Sequence, residues 1–239
     1  MVTFDLQDKV ALITGSTNFW GEGIGLSLAR AGAEVWLHHF EGNEAAERLC
    51  QTIQSAGGQA HLISGDLTKP EEVTRVINFI IQHSGSIDIL INNAEEHDFK
   101  SLKELEPDAW VAMFDMNLDV PFLCCKEVFP HMVRAGKGYV VNITSAAAVT
   151  GEMGPHFAAS KSALNSMTRA LSREYKPKGI RIISLAPSVV QLELERGQWK
   201  EKQKMVKNAV ANMVLVACSP YGEHISCEPI MLDGGESIG

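Results

Sequence analysis

The chain has 239 residues, 45% of them hydrophobic, and carries 21 basic against 29 acidic side chains for a net charge of −8. That length suffices for one large α/β domain with a real core, and the acidic balance argues against electrostatic binding to nucleic acid or to an anionic membrane. No apolar run is as long as a bilayer span and MVTFDLQDKV lacks the basic-then-apolar pattern of a leader, so a soluble, cytoplasmic protein is expected.

In chain order, the apolar run KVALIT leads into the turn Thr14-Gly15-Ser16-Thr17-Asn18-Phe19-Trp20-Gly21 and a helical GLSLARAGA. EVWLHH follows as a second strand, then a helix over 43–57 that closes on Gly57-Gly58, a C-cap signal. After AHLISGD, Pro70 opens a helix over 70–84 at a first-turn position. IDILINNA, GYVVNITS, IRIISLA and EPIMLDGG complete seven short runs, and two long helices are expected at about 107–135 and 157–176. Each run is nearly continuous in apolar character, the pattern of strands buried on both faces of a parallel sheet. The alternation predicts a single Rossmann-like domain over 1–239: a doubly wound sheet of about seven mainly parallel strands with helices on both faces. No internal repeat or linker interrupts it.

Several groups have plain readings. The five cysteines form no C-x-x-C pair and read as reduced, mostly buried thiols, with Cys124-Cys125 as packing. His38-His39 are adjacent on a strand and face opposite sides, so no metal site is expected. Glu95-Glu96-His97-Asp98 reads as a solvated loop beside the ligand crevice.

Ordered along the chain stand Thr14-Gly15, Asp66, Asn92-Asn93-Ala94, Asn117, Thr144-Ser145, Lys161, Ala186-Pro187 and Asp233-Gly234-Gly235. Together they resemble the short-chain dehydrogenase/reductases, whose usual signature is T-G-x-x-x-G-I-G, N-N-A-G, an Asn, a Ser, Y-x-x-x-K and P-G-x-x-x-T. The resemblance implies a nicotinamide dinucleotide at the carboxyl ends of the strands, its pyrophosphate over the first helix N-terminus. It also implies a tyrosine that moves the proton, a lysine that lowers its pKa, a serine that holds the substrate oxygen, and an asparagine whose water links the lysine to solvent. By position these are Ser145, Lys161 and Asn117, with Phe157 where the tyrosine belongs. Thr14, Gly15, Phe19, Gly21, Asp66 and Asn93 fall on cofactor-binding positions.

The departures cluster in that same region. Counting from Thr14 to Ala33 needs no insertion and puts Phe19 on the second motif glycine, Trp20 on the next apolar residue and Gly21 on the third glycine. Pairing Gly23-Ile24-Gly25 with the motif instead demands extra residues before it and a shortened helix. A phenyl ring at position 19 would occupy ligand space. Phe157 lacks the oxygen that acid–base chemistry needs, neighbouring His156 points about 100° away on the helix, and none of the three tyrosines falls at the site. Glu95 replaces the glycine of N-N-A-G and would repel a pyrophosphate nearby, Leu192 replaces the threonine of P-G-x-x-x-T, and the covering segment after Pro187 is short. His38, His39 and Phe40, at the end of the second strand, mark neither a ribose 2′-hydroxyl nor a 2′-phosphate.

The turn is also similar to that of the halohydrin dehalogenases, which carry T-x-x-x-x-F-x-G and use no dinucleotide; their Ser-Tyr-Arg triad corresponds here to Ser145, Phe157 and Lys161. The expectation is therefore a non-redox member of the superfamily: Phe19 and Trp20 close the pyrophosphate site, no cofactor is bound, and a small molecule binds near Ser145 and Lys161. The alternatives are an NAD- or NADP-dependent oxidoreductase with another proton donor, and a catalytically silent subunit paired with a homologous partner. The resemblance further implies a homo-oligomer, dimer or tetramer.

Overall fold

Seven strands form one parallel sheet in the order β3-β2-β1-β4-β5-β6-β7. The computed structural model describes residues 4–40, 44–188, 196–225 and 227–235. The strands are β1 Val10–Ile13, β2 Glu34–His39, β3 Ala60–Ser64, β4 Ile89–Asn92, β5 Gly138–Ile143, β6 Ile180–Pro187 and β7 Ile230–Leu232. Between them run helices α1 Phe19–Arg30, α2 Glu44–Ser55, α3 Pro70–Ser84, α4 Pro107–Phe114, α5 Val120–Ala135, α6 Ala147–Thr150, α7 Pro155–Tyr175 and α8 Arg196–Ala217. The doubly wound expectation holds, and every pair in the sheet is parallel.

Alternation along each strand builds two cores. Ala11 and Ile13 of β1 join Ile24 and Leu28 of α1, Ile53 of α2 and Val214 of α8 on one face. Val10 and Leu12 join Val76 and Ile80 of α3 and Val128 of α5 on the other. This is why the strands lack the apolar–polar alternation of a half-exposed sheet. The long helix expected over 107–135 is continuous, but Asp115–Asp119 winds as a π segment between α4 and α5. Asn117 sits in that segment, the kind of local distortion that often accompanies a functional side chain. No helix among the described residues is long and apolar enough to cross a membrane.

The connection from β1 to β2 turns back to one side of the sheet and that from β4 to β5 to the other. The carboxyl ends of β1 and β4 therefore part around a crevice, the place where open α/β sheets receive ligands. Close backbone packing shapes its floor. Gly15 has φ +60°, and a Cβ there would lie 2.7 Å from Ala94 Cα. A Cβ on Gly21 would meet Gly15 O and Ser16 C at 2.8 Å, so α1 rests directly on the turn. That contact accords with the pairing of Gly21 with the third motif glycine. Gly21→Ala pits a methyl group against backbone that has nowhere to move and is expected to cost about 1–3 kcal/mol in urea unfolding; an unchanged midpoint would mean that helix and turn are not in contact.

Candidate functional site

The turn after β1 and the end of β4 are stapled together. Thr14 Oγ1 accepts from the amides of Asn93 (2.9 Å) and Ala94 (3.0 Å). Asn93 Nδ2 donates to the carbonyls of Thr14 (2.9 Å) and Gly15 (2.8 Å) and to Asn18 Oδ1 (3.0 Å). Asn18 caps α1: its Oδ1 accepts from Trp20 N (3.1 Å) and Gly21 N (2.8 Å), while its Nδ2 donates to Asn93 O (2.8 Å). Two amides at this helix N-terminus, the groups that would otherwise meet an anion, are thus satisfied by the chain's own side chain. Sequence reasoning passed over Asn18, although an Asn directly before a helical run is an N-cap signal.

The two rings of the turn part company. Trp20 is buried in the α1 and α8 core and does not close the crevice, which corrects its expected role. It follows Phe19 in the first turn of α1, where successive side chains diverge, and burying the indole there gains apolar packing. Phe19 stays 38% exposed, meets Trp20 edge to face at 4.6 Å between centroids, and lies 5.6 Å below Lys207 Nζ of α8. Lys207 also pairs with Glu22. The rings therefore face each other and an ammonium.

At the end of β2, His38 turns inward. The Gly15 amide donates to its Nδ1 at 3.3 Å and its Nε2 lies 3.0 Å from Gly65 O, so the neutral ring carries its proton on Nε2. Burial lowers its pKa from 6.5 to about 4. Asp66 is engaged locally: Thr68 Oγ1 donates to its Oδ1 at 2.6 Å and Lys69 pairs with its Oδ2 at 3.2 Å. The Thr68 hydroxyl is the largest influence holding its carboxyl below the usual range.

Lys161 occupies the centre of the remaining site. It is 1% exposed, donates to Ile143 O at 3.2 Å and pairs with Glu95 Oε2 at 2.9 Å. Its Nζ also stands 5.4 Å from the ring centroid of Phe157, itself buried with Met113 and Ala147. Glu95 is therefore not part of a solvated loop: its side chain is 14% exposed and closes onto the lysine. A buried ammonium without a counter-charge is costly, and Glu95 is the carboxylate within reach. Glu96 and His97 are exposed, as that loop reading expected.

Asn117 fixes the backbone beside this pair. Its Oδ1 accepts from Glu96 N (2.9 Å), and its Nδ2 donates to Glu96 O (3.0 Å) and Ser160 Oγ (3.1 Å). Ser145 follows β5, two residues after the carbonyl that holds Lys161; its Oγ accepts from Ala147 N at 3.1 Å, leaving its own proton to donate. His156 is fully buried on the Ser160 side of α7, and neither ring nitrogen has a hydrogen-bond partner. Leu192 lies outside the described residues. Cys50, Cys124, Cys125 and Cys218 are buried, and burial pushes the Cys125 and Cys218 thiols up to about 12. No group of three potential metal ligands converges among the described residues.

Comparison with known proteins agrees with this architecture. A family model described as short chain dehydrogenase matches residues 9–203. The chain is similar to the human protein named dehydrogenase/reductase SDR family member 4, at 30% identity over 96% of this chain and 88% of that one. It is 27% identical to a 3-oxoacyl-acyl-carrier-protein reductase of Staphylococcus epidermidis over 96% of this chain and 99% of that one. Among solved structures, a short-chain dehydrogenase/reductase from Burkholderia xenovorans superposes with TM-score 0.88 at 26% identity, covering 99% of both chains.

The His38 geometry has a pH consequence. Its folded pKa lies below the ordinary 6.5, so its contribution is complete above pH 6.5 and is lost as pH falls towards about 4. Over that window the loss amounts to about 3 kcal/mol. The difference in unfolding free energy between the wild type and His38→Asn, followed by urea titration, is expected to shrink across it; a pH-independent difference would mean that the imidazole is protonated in the folded protein or titrates normally.

Proposed function

The chain belongs to the short-chain dehydrogenase/reductase superfamily, and from that premise we propose that it is a non-redox member, which binds or transforms a small molecule beside Ser145 and Lys161 without a nicotinamide cofactor. The observation that carries this reading is the Glu95–Lys161 pair at 2.9 Å. In the mechanism that the resemblance implies, a tyrosine moves the proton and a lysine tunes it. Here Phe157 has no proton to move, and the lysine is held by Glu95 and by Ile143 O.

The residues present also fit a dinucleotide poorly. Asn18 takes two amides of the α1 N-terminus, the Phe19 ring stands in place of a glycine, and both oxygens of Asp66 are engaged by Thr68 and Lys69. Ser145 retains a hydroxyl proton with which to hold an oxygen of a ligand. The likeness to halohydrin dehalogenases extends over the turn alone, and without a tyrosine their epoxide-forming step has no proton acceptor of that kind, so the proposal stops at binding or transformation of a small molecule. A second copy of this chain is the proposed partner, supported by the exposed Trp110 and Val111 of α4 and Phe122 of α5.

Titration with NADH and NADPH, followed by reduced-nicotinamide fluorescence, is expected to give no saturation in the micromolar range. Phe157→Tyr alone is expected to restore no reduction of small ketones, because the new phenol would meet a lysine already paired. Micromolar binding by the wild type, or ketone reduction by Phe157→Tyr, would sink the non-redox reading. Light scattering on a size-exclusion column is expected to return a multiple of the chain mass; a monomer would dismiss the proposed self-association.

A further inference from the structure

The geometry points to Glu95 as the residue that decides which ligands this crevice admits. Resting on the non-redox reading above, we propose that its carboxylate is a built-in occupant of Lys161: it neutralises the cation at the site centre, so that the crevice rejects anionic nucleotides and takes uncharged, hydrogen-bonding small molecules.

An ammonium has three N–H groups. On Lys161 the chain itself supplies a counterpart for the charge on three sides: Glu95 Oε2 at 2.9 Å, Ile143 O at 3.2 Å, and the Phe157 ring with its centroid at 5.4 Å. With 1% exposure the lysine keeps little surface to offer. A nucleotide hydroxyl or phosphate oxygen would have to displace a carboxylate already paired with the ammonium in a sparingly hydrated place. It would then leave that carboxylate unpaired against its own negative charge.

The placement of Glu95 is over-determined. The amide of the residue before it, Ala94, donates to Thr14 Oγ1 at 3.0 Å, and the residue after it, Glu96, is gripped through both its N–H and its C=O by Asn117. With the peptides on either side fixed, the side chain leaves the backbone from a defined point and reaches Lys161 without ordering a loop. Among the described residues no donor meets its second oxygen, Oε1, which is not among the sealed buried atoms, so the pair presents an acceptor edge and not a cation to whatever enters. Ser145, two residues after the carbonyl that holds Lys161, accepts from Ala147 N and keeps its hydroxyl proton to donate. A neutral molecule carrying one hydroxyl and one carbonyl or ether oxygen matches this set.

The test compares NADH binding by fluorescence among the wild type, Glu95→Gly, Glu95→Gln, Phe19→Gly, and Glu95→Gly combined with Lys161→Met. Freeing Lys161 in Glu95→Gly is expected to tighten NADH binding at least about tenfold over the wild-type limit, and Glu95→Gln, which keeps a polar oxygen beside the lysine but not the charge, by less. The gain is expected to vanish in the Lys161→Met combination, while Phe19→Gly alone gains less than Glu95→Gly. If Glu95→Gly fails to fold for want of a counter-charge, Glu95→Gln decides. Unchanged binding in the folded Glu95 variants, or a gain that survives Lys161→Met, overturns the role given to Glu95. Micromolar binding by the wild type overturns instead the non-redox reading on which it rests.

Discussion

An ammonium with 1% of its side chain exposed is costly to bury without a counter-charge, and much of this site is arranged around that requirement. Lys161 enters the interior because α7 lies against the carboxyl end of β5, where Ile143 O is available to its Nζ. One carbonyl does not neutralise an ammonium. Glu95 does, and it arrives from the loop after β4, separated along the chain from α7 by the continuous α4–α5 helix, β5 and α6. Removing one partner of such a buried pair typically costs about 3–5 kcal/mol, because the other is left as an uncompensated charge. The pair is thus a structural necessity once the lysine is there, whatever ligand the crevice takes.

The rest of the crevice is built so that its walls do not need a ligand for cohesion. Thr14, Asn18 and Asn93 share donors and acceptors between the β1 turn, the α1 N-terminus and the β4 end. His38 adds a link from β2 and, through Gly65, from the end of β3. Four strand ends meet around Gly15, and each connection runs through a neutral side chain. Neutral hydrogen bonds in such a junction contribute about 1 kcal/mol each, but leaving any buried partner unsatisfied costs more, which makes the junction cooperative.

The fold was legible because parallel strands buried on both faces and helices with an apolar stripe leave long-lived patterns in the chain; the helix over 70–84 coincides with α3. The motif residues were legible because ordered spacing along a chain of fixed topology puts them at strand ends. What stayed hidden depends on side-chain direction. Trp20 and Phe19 are adjacent, and nothing in their order says which ring joins the core. Asp66 could face a ligand or its own turn, and Thr68 and Lys69 settle that locally. Glu95 read as a solvated acid because a loop of four polar residues usually is one, yet a lysine in the middle of α7's buried face was the signal that a carboxylate would be drawn inward.

That signal also links two departures that look independent in the sequence. A phenol at position 157 would offer an oxygen near Lys161; a phenyl ring offers only its face, at 5.4 Å from Nζ. Cation–π attraction is worth roughly 0.5–2 kcal/mol, less than a buried ammonium needs. Loss of the oxygen therefore raises the value of any nearby carboxylate, and a glutamate where the resemblance expects glycine meets that need. Conversely, once the glutamate holds the lysine, the oxygen has less to contribute. Positions 95, 157 and 161 then form one electrostatic unit whose substitutions are not additive, and the identity of any one of them is physically intelligible only beside the other two.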